Sequence, residues 1–412
     1  MRRSTVCLLA VAAILTIGAD ECPPPPDNII NVETTEPGIV EDGLCSLAEA
    51  ITTANDGEAH PDCEYLSESG QFRIVLGSRQ TYTLTEPYDE EYGLPEITGS
   101  MLIYGRNSVI ERADEAPEFG ILLNTGTLEL EDVTIRNAAR NPGVSTNNAL
   151  TLRHSKISGC DVGIKIFIST YSTSLHVIGS TIQGNQTGIV NECSWPVFGH
   201  FLITVDSTTI SRNRPGGGVV FDGCGEGSIF TVTNSTFSSN AAHQGGAVSV
   251  VDGDLLVEHC TIVNNIGYSE GGGIYAESSV VNVSRSIVAQ NQGLNCSITD
   301  DSTIYSGGHN ITDDDWCQLD ANSDLRVADP MLSELDFWGG PTLTHIPLEG
   351  SPAIDMVEWY CSNRDQRDYV RPADGDGDGV AACDCGAVEF GAEPPIYVHG
   401  DPVDQRPYPS FN

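Results

Sequence analysis

From about residue 128 the chain alternates apolar and polar residues in short runs that recur with a long period. The runs LELEDVTIRN, LTLRHSKISGC, LHVIGSTIQGN, ITVDSTTISRN, FTVTNSTFSSN, LLVEHCTIVNN and VNVSRSIVAQN each hold a period-two stretch, then a step such as Thr-Ile or Thr-Phe, then a polar corner. The apolar residue of that step falls at Ile135, Ile157, Ile182, Ile210, Phe237, Ile262 and Ile287, with spacings of 22, 25, 28, 27, 25 and 25. A strand-rich unit of this length cannot bury its apolar face alone and must stack on the next, which predicts an all-β parallel β-helix with one coil per repeat. Three residues after the last six of these positions stand Cys160, Asn185, Asn213, Asn240, Asn265 and Gln290. Stacking aligns them in a ladder whose amides bond to the coils above and below, with Cys160 as an interruption.

A glycine opens the next strand of each coil at Gly163, Gly188, Gly218, Gly246 and Gly273, where a corner with φ > 0 is expected. Four residues further on lie Phe167, Glu192, Asp222, Val250 and Glu277. Glu192, Asp222 and Glu277 are therefore the candidate catalytic carboxylates of the coils. Adjacent coils lie about 4.8 Å apart, so Glu192 and Asp222 fall near the spacing a glycoside hydrolase needs. The competing reading is a solvated strand end in an acidic protein.

Composition agrees with a turn-rich β body: 43 Gly and 22 Pro are too many for a helical protein of 412 residues. The 58 acidic residues against 19 basic ones give a net charge of −39, with Lys156 and Lys165 the only lysines. That balance excludes nucleic acid and anionic membrane surfaces as partners, because neither can be held without cations. A polyuronate is repelled too, and Arg153, Lys165, Arg212 and Arg214 are scattered among acids. The linked Asp-Asp, Gly-His-Gly and Arg-x-Lys motifs of polygalacturonases are absent, and the histidines show no metal-ligand spacing.

Arg2 and Arg3 precede an apolar run from Val6 to Ile17, which reads as a secretory signal over residues 1–19 and predicts export. A stiff Pro-rich spacer follows at 20–27, and no further stretch approaches transmembrane length. Cys22 lacks the small neutral residues that precede a lipidated cysteine. Twelve cysteines remain after the signal, so disulfides are the expected state. The local pairs are Cys45 with Cys63, Cys193 with Cys224, Cys296 with Cys317, and Cys361 with Cys383 or Cys385.

The segment CSLAEAITTAN, Cys45 to Asn55, resembles the CSLREA signature that opens a group of secreted right-handed parallel β-helix proteins, with Ala48 in place of Arg. Its residues also read as a short helix: Ser46 caps it, Glu49 closes a capping box, and Leu47, Ala50, Ile51 and Ala54 form its apolar face. Residues Asp329 to Glu389, with DPMLSELDFWGGPTLTHIPLEGSPAID, DQRDYVRP and CDCGAVEF, are similar to the choice-of-anchor Q module. The two resemblances imply export and a right-handed β-helix, and no defined reaction. Cys385 replaces an apolar residue of the module, and the end is polar and proline-rich where a hydrophobic anchor is expected.

The organisation that follows is a signal (1–19), spacer (20–27), N-terminal cap (28–70), coils (71–293), disulfide-rich C-terminal module (294–390) and polar tail (391–412). Within the module, DGDGDG places Asp374, Asp376 and Asp378 at the first, third and fifth positions of a calcium-type loop. Its twelfth position is Cys385, which leaves Asp384 or Glu389 to complete a different loop. Structural Ca²⁺ is the one cofactor suggested. The expected function is a non-catalytic, exported or surface-associated β-helix that is structural, adhesive or in contact with a surface glycan or protein. The alternative is a polysaccharide hydrolase or lyase.

Overall fold

The computed structural model describes residues 28–394 apart from 59, 66–70, 169–172, 194–200, 225–226 and 359. The signal, the spacer, Cys22 and most of the tail lie outside the described residues.

The coils form three parallel faces. Face A runs through Asn28–Asn31, Phe72–Val75, the first halves of Ser100–Arg112 and Thr127–Arg136, then Ala149–Arg153, Ser174–Ile178, Leu202–Asp206, Ile229–Thr233, Asp254–Glu258, Val280–Ser284 and Thr303–Gly308. Face B starts at Thr81–Leu84 and the second halves of the same two long strands. It continues through Lys156–Ser158, Thr181–Gln183, Thr209–Ser211, Thr236–Ser238, Thr261–Val263, Ile287–Ala289, Ile311–Thr312 and Leu325–Arg326. Face C holds Leu122–Asn124, Val144–Thr146, Val162–Ile168, Thr187–Cys193, Gly217–Asp222, Val248–Val251, Ile274–Glu277 and Cys296–Ile298.

Alternation makes the core. Leu128, Leu150, Leu175, Ile203, Phe230, Leu255 and Val281 stack in register on the inner side of face A and are buried, as are Ile135, Ile157, Ile182, Ile210, Phe237 and Ile262 on face B. Each such side chain is worth about 1.5–3 kcal/mol on burial.

At the N-terminal end, Ser46 caps the helix Leu47–Asp56 in a reciprocal capping box with Glu49, and Gly57 ends it in the left-handed region at φ 68°. Leu47, Ala50 and Ile51 pack on the same core as Ile30 and Ile74, so the helix closes the stack where bare strand edges would otherwise stand open. The disulfide Cys45–Cys63 holds the chain around it.

The asparagine ladder is continuous. Asn185, Asn213, Asn240 and Asn265 are buried, and the Oδ1 of each of the last three accepts both the backbone N–H and the Nδ2 of the coil before it. Cys160 sits at the head of the ladder and donates its N–H to Asn185 Oδ1 at 3.0 Å, so it begins the ladder and does not break it. At the other end the sequence register slips by one. Val288, not Ile287, pairs with Ile262, and the ladder passes to Asn291 and Asn295, not to Gln290.

The glycines that open face C also need a different explanation. Gly163, Gly188, Gly218, Gly246 and Gly273 do not have positive φ. A Cβ at Gly163 or Gly218 would instead stand 2.5 Å from the carbonyl oxygen of the next coil, so the demand is close backbone approach. The corner between ladder and face C lengthens in the later coils. It projects Ala241–Gln244 and Ile266–Glu270 as a small parallel sheet of their own and moves Ala247, rather than Gly246, into register with Gly218 and Gly273.

Beyond Arg326 the chain turns back and covers the outer side of face B. Gln366 bridges Thr209, Thr236 and Thr342, His345 Nε2 meets Ser238 Oγ at 2.9 Å, and Ala387 N–H donates to Thr261 Oγ1. Both sides of the strands Thr209–Ser211, Thr236–Ser238, Thr261–Val263 and Ile287–Ala289 are consequently buried. The remaining disulfides are Cys193–Cys224, Cys296–Cys317 and Cys361–Cys383. Cys160, Cys260 and Cys385 are buried free thiols, so the even cysteine count does not translate into complete pairing. No helix among the described residues is long and apolar enough to cross a membrane.

Candidate functional site

Face C is the outer surface that carries the candidate carboxylates. Its outward side chains form two rows, one through Lys165, Val190, Val220, Ser249 and Tyr275, the other through Phe167, Glu192, Asp222, Val251 and Glu277. Val251 occupies the place that simple counting gives to Val250, because of the longer corner before it. The stripe is therefore split: Glu192 and Asp222 are neighbours, and Glu277 stands two coils beyond Asp222.

Each carboxylate takes a partner close to its own position. Lys165 Nζ lies 2.7 Å from Glu192 Oε1 and 4.7 Å from the centre of the Phe167 ring. Asp222 Oδ1 accepts the Cys224 N–H at 2.9 Å, in the turn locked by Cys193–Cys224. Inside that turn, Asn191 bonds both the N–H and the carbonyl of Asp222 and so replaces the ladder where the sheet ends.

Around Glu277 the projecting corner adds groups that periodicity does not reveal. The Tyr275 hydroxyl donates to Glu277 Oε2 at 2.9 Å, and Gln244 Nε2 donates to Glu270 Oε2 at 3.3 Å. Tyr275 is only 5% exposed, and its hydroxyl is pushed above the ordinary phenol range by burial, then by the Glu277 hydrogen bond and the charges of Glu277 and Glu270. Tyr275, Gln244 and Glu270 were not visible as a group in the sequence because the last two lie in inserted corners.

The calcium-type loop divides. Asp374 and Asp376 come together with Asp355, one oxygen of each lying within 4.8 Å of the others. Asp355 Oδ2 accepts the N–H groups of Gly375 and Asp376, and Asp374 accepts those of Gly377 and Gly379. Asp378 accepts the Val380 N–H, and Asp384, outside the trio, accepts the Asp355 N–H at 2.8 Å. Asp355 comes from a separate turn, which is why spacing alone missed it.

Asp384 belongs to a buried charge cluster between the C-terminal segment and face B. Asp384 accepts the N–H groups of Asp355 and Phe390, and Glu389 accepts those of Ala373 and Asp384. Arg371 Nε lies 3.4 Å from Glu389 Oε2, while its other nitrogens reach Gly386 O and His259 Nδ1. Arg367 binds Asp365 Oδ2 at 2.7 Å. Three buried carboxyls thus face two guanidiniums. Burial and the charge of Glu389 push Asp384 up to about 8, and burial raises Glu389 as well. His259 is pushed down to about 2 by burial, then by Arg371 and Arg285, and is a neutral acceptor.

In comparisons with known proteins, residues 96–262 match the family described as right handed beta helix region. A solved structure, the crystal structure of pectate lyase Pel9A, is similar at 14% identity with a TM-score of 0.42, over 87% of this chain and 96% of that one. No curated protein matches the sequence. The match over residues 96–262 and the stacking of the described coils together make the fold of this chain a right-handed parallel β-helix.

Proposed function

We propose that this is an exported, surface-associated β-helical rod that contacts a glycan or protein without catalysing a reaction on it. The observation that carries the reading is the state of the face C carboxylates. Glu192 is neutralised by Lys165, Asp222 is held by its own turn, Glu277 is held by Tyr275, and Val251 divides the row. The signal-like N-terminus and the resemblance of both ends to CSLREA and choice-of-anchor Q segments support export.

The mature protein, residues 20–412, is expected to be retarded in native gels containing a dissolved neutral polysaccharide, while the viscosity of that polysaccharide stays constant. A fall in viscosity would argue for the second reading, a polysaccharide hydrolase or lyase working through Glu192, Asp222 or Glu277. Glu270 and Glu277 around the Tyr275 hydroxyl are the feature that favours it. Retardation on no polysaccharide would leave only a protein partner.

The oxygen chemistry of Asp355, Asp374 and Asp376 suits a hard cation, and we propose Ca²⁺ as a structural ligand there. Binding only the folded state, Ca²⁺ at 100-fold over its Kd adds about 2.7 kcal/mol, so Tm should rise by several degrees over the chelated protein. An unchanged Tm would remove the ion from the account.

A further inference from the structure

At the edge of the C-terminal cover, face B passes from sealed to open. Thr209 and Ser211 are buried beneath the cover. One coil nearer the N-terminus, Thr181 and Gln183 line one side of a shallow recess open to solvent, Phe337, Pro341 and Leu343 of the cover line the other, and Lys156 lines it one coil further back. Phe337 is 44% exposed and the adjacent Trp338 41%, in a chain where most large apolar side chains are inside the coils. The Trp338 indole N–H donates to Glu334 O at 3.3 Å, which ties the ring to its own turn.

We propose that this recess is a saccharide-binding subsite for one pyranose unit of a neutral polysaccharide. The proposal rests on the glycan-contact reading and gives it a location. A sugar ring has an apolar C–H face and a rim of hydroxyls that both donate and accept. The recess offers the complement: an exposed aromatic wall facing an ammonium, an amide and a hydroxyl. Lys156 is half-buried here, and burial and then the Arg136 charge lower its proton affinity. The net charge of −39 disfavours an acidic polymer over the rest of the surface.

From the recess toward the N-terminus, the outer side of face B continues as a polar shelf. Arg136 pairs with Glu111 at 2.5 Å, and Thr83 Oγ1 donates to Glu111 Oε1 at 3.3 Å. Coils recur about every 4.8 Å, close to the length of one sugar ring with its glycosidic bond, so successive units of one chain meet successive coils.

Calorimetric titration of the mature protein with cellohexaose, mannohexaose, galactohexaose and hexagalacturonate tests this. At least one neutral hexasaccharide should bind. Phe337→Ala should weaken it about tenfold and Lys156→Ala about fivefold, with unchanged melting curves, whereas Glu277→Gln on face C should leave it intact. Binding that survives both recess variants but is lost in Glu277→Gln overturns the subsite and keeps the glycan reading. Tighter binding of hexagalacturonate overturns the neutral assignment, and no binding of any oligosaccharide removes the subsite and the glycan reading together.

Discussion

Replacing Asn213 by alanine is expected to cost about 3 kcal/mol or more. Asn213 is fully buried, and its Oδ1 receives the N–H and the Nδ2 of Asn185, at 3.1 and 3.0 Å. Its own Nδ2 reaches Ile182 O at 3.1 Å and Asn240 Oδ1 at 2.9 Å. Truncation leaves the Asn185 N–H and the Ile182 carbonyl without these partners in a space that water cannot enter, and each orphan costs about 1–3 kcal/mol. Asn213→Asp should be worse, because a carboxylate cannot donate to Ile182 O or Asn240 Oδ1 and brings an unpaired charge inside. Asn282, half-buried on the outer side of face A, is the control, and Asn282→Ala should change stability by less than about 0.5 kcal/mol. Urea unfolding followed by circular dichroism reads the difference, and equal midpoints for the two alanine variants would refute a structural role for the ladder.

The second large effect concerns pH. Asp384 is held at about 8 in the folded protein by burial and by Glu389, against about 4 for an unfolded aspartate. The folded state therefore keeps a proton that the unfolded chain has lost. The corresponding stability is fully present below about pH 4, declines as the pH rises, and is gone above about pH 8, with a total on the order of a few kcal/mol. Arg371, Arg367, Asp365 and Glu389 are the charges around it, and His259 works the other way below about pH 6.5, because the unfolded chain protonates a histidine that the fold keeps neutral. Asp384→Asn should flatten the fall of stability with pH between about 6.5 and 8, above the range in which unfolded histidine titrates, whatever it does to the absolute level. An undiminished slope would show that the proton resides elsewhere. Arg371→Met should have the opposite character: it leaves Glu389 without its cation and should cost about 3–5 kcal/mol at neutral pH.

The coils were legible because each one repeats the same decision. An inward Leu, Ile, Val or Phe every second residue and a corner Asn suffice to place Ile157, Ile182, Ile210, Phe237 and Ile262 on one row. Legibility failed where alternation vanished. Ile287, Val288 and Ala289 are all apolar and all buried, because Ala353 and Cys385 of the C-terminal segment cover the outer side, so the pattern could not say that Val288 is the inward residue. It failed again at the inserted corners, where the extra residues of Ala241–Gln244 and Ile266–Glu270 shift the count and bring Gln244 and Glu270 beside Tyr275. Asp355 and the His259–Arg371 contact join segments far apart in the chain, and no local spacing encodes them.

The proposed function makes the face C carboxylates part of a contact surface with no catalytic role. The most direct test is to incubate the mature protein with neutral and uronic polysaccharides, with and without Ca²⁺, and to measure new reducing ends and unsaturated products over time. Product formation is expected to be no faster than in a protein-free control on every substrate. Turnover that disappears in Glu192→Gln, Asp222→Asn or Glu277→Gln would contradict it and make the stripe an active site.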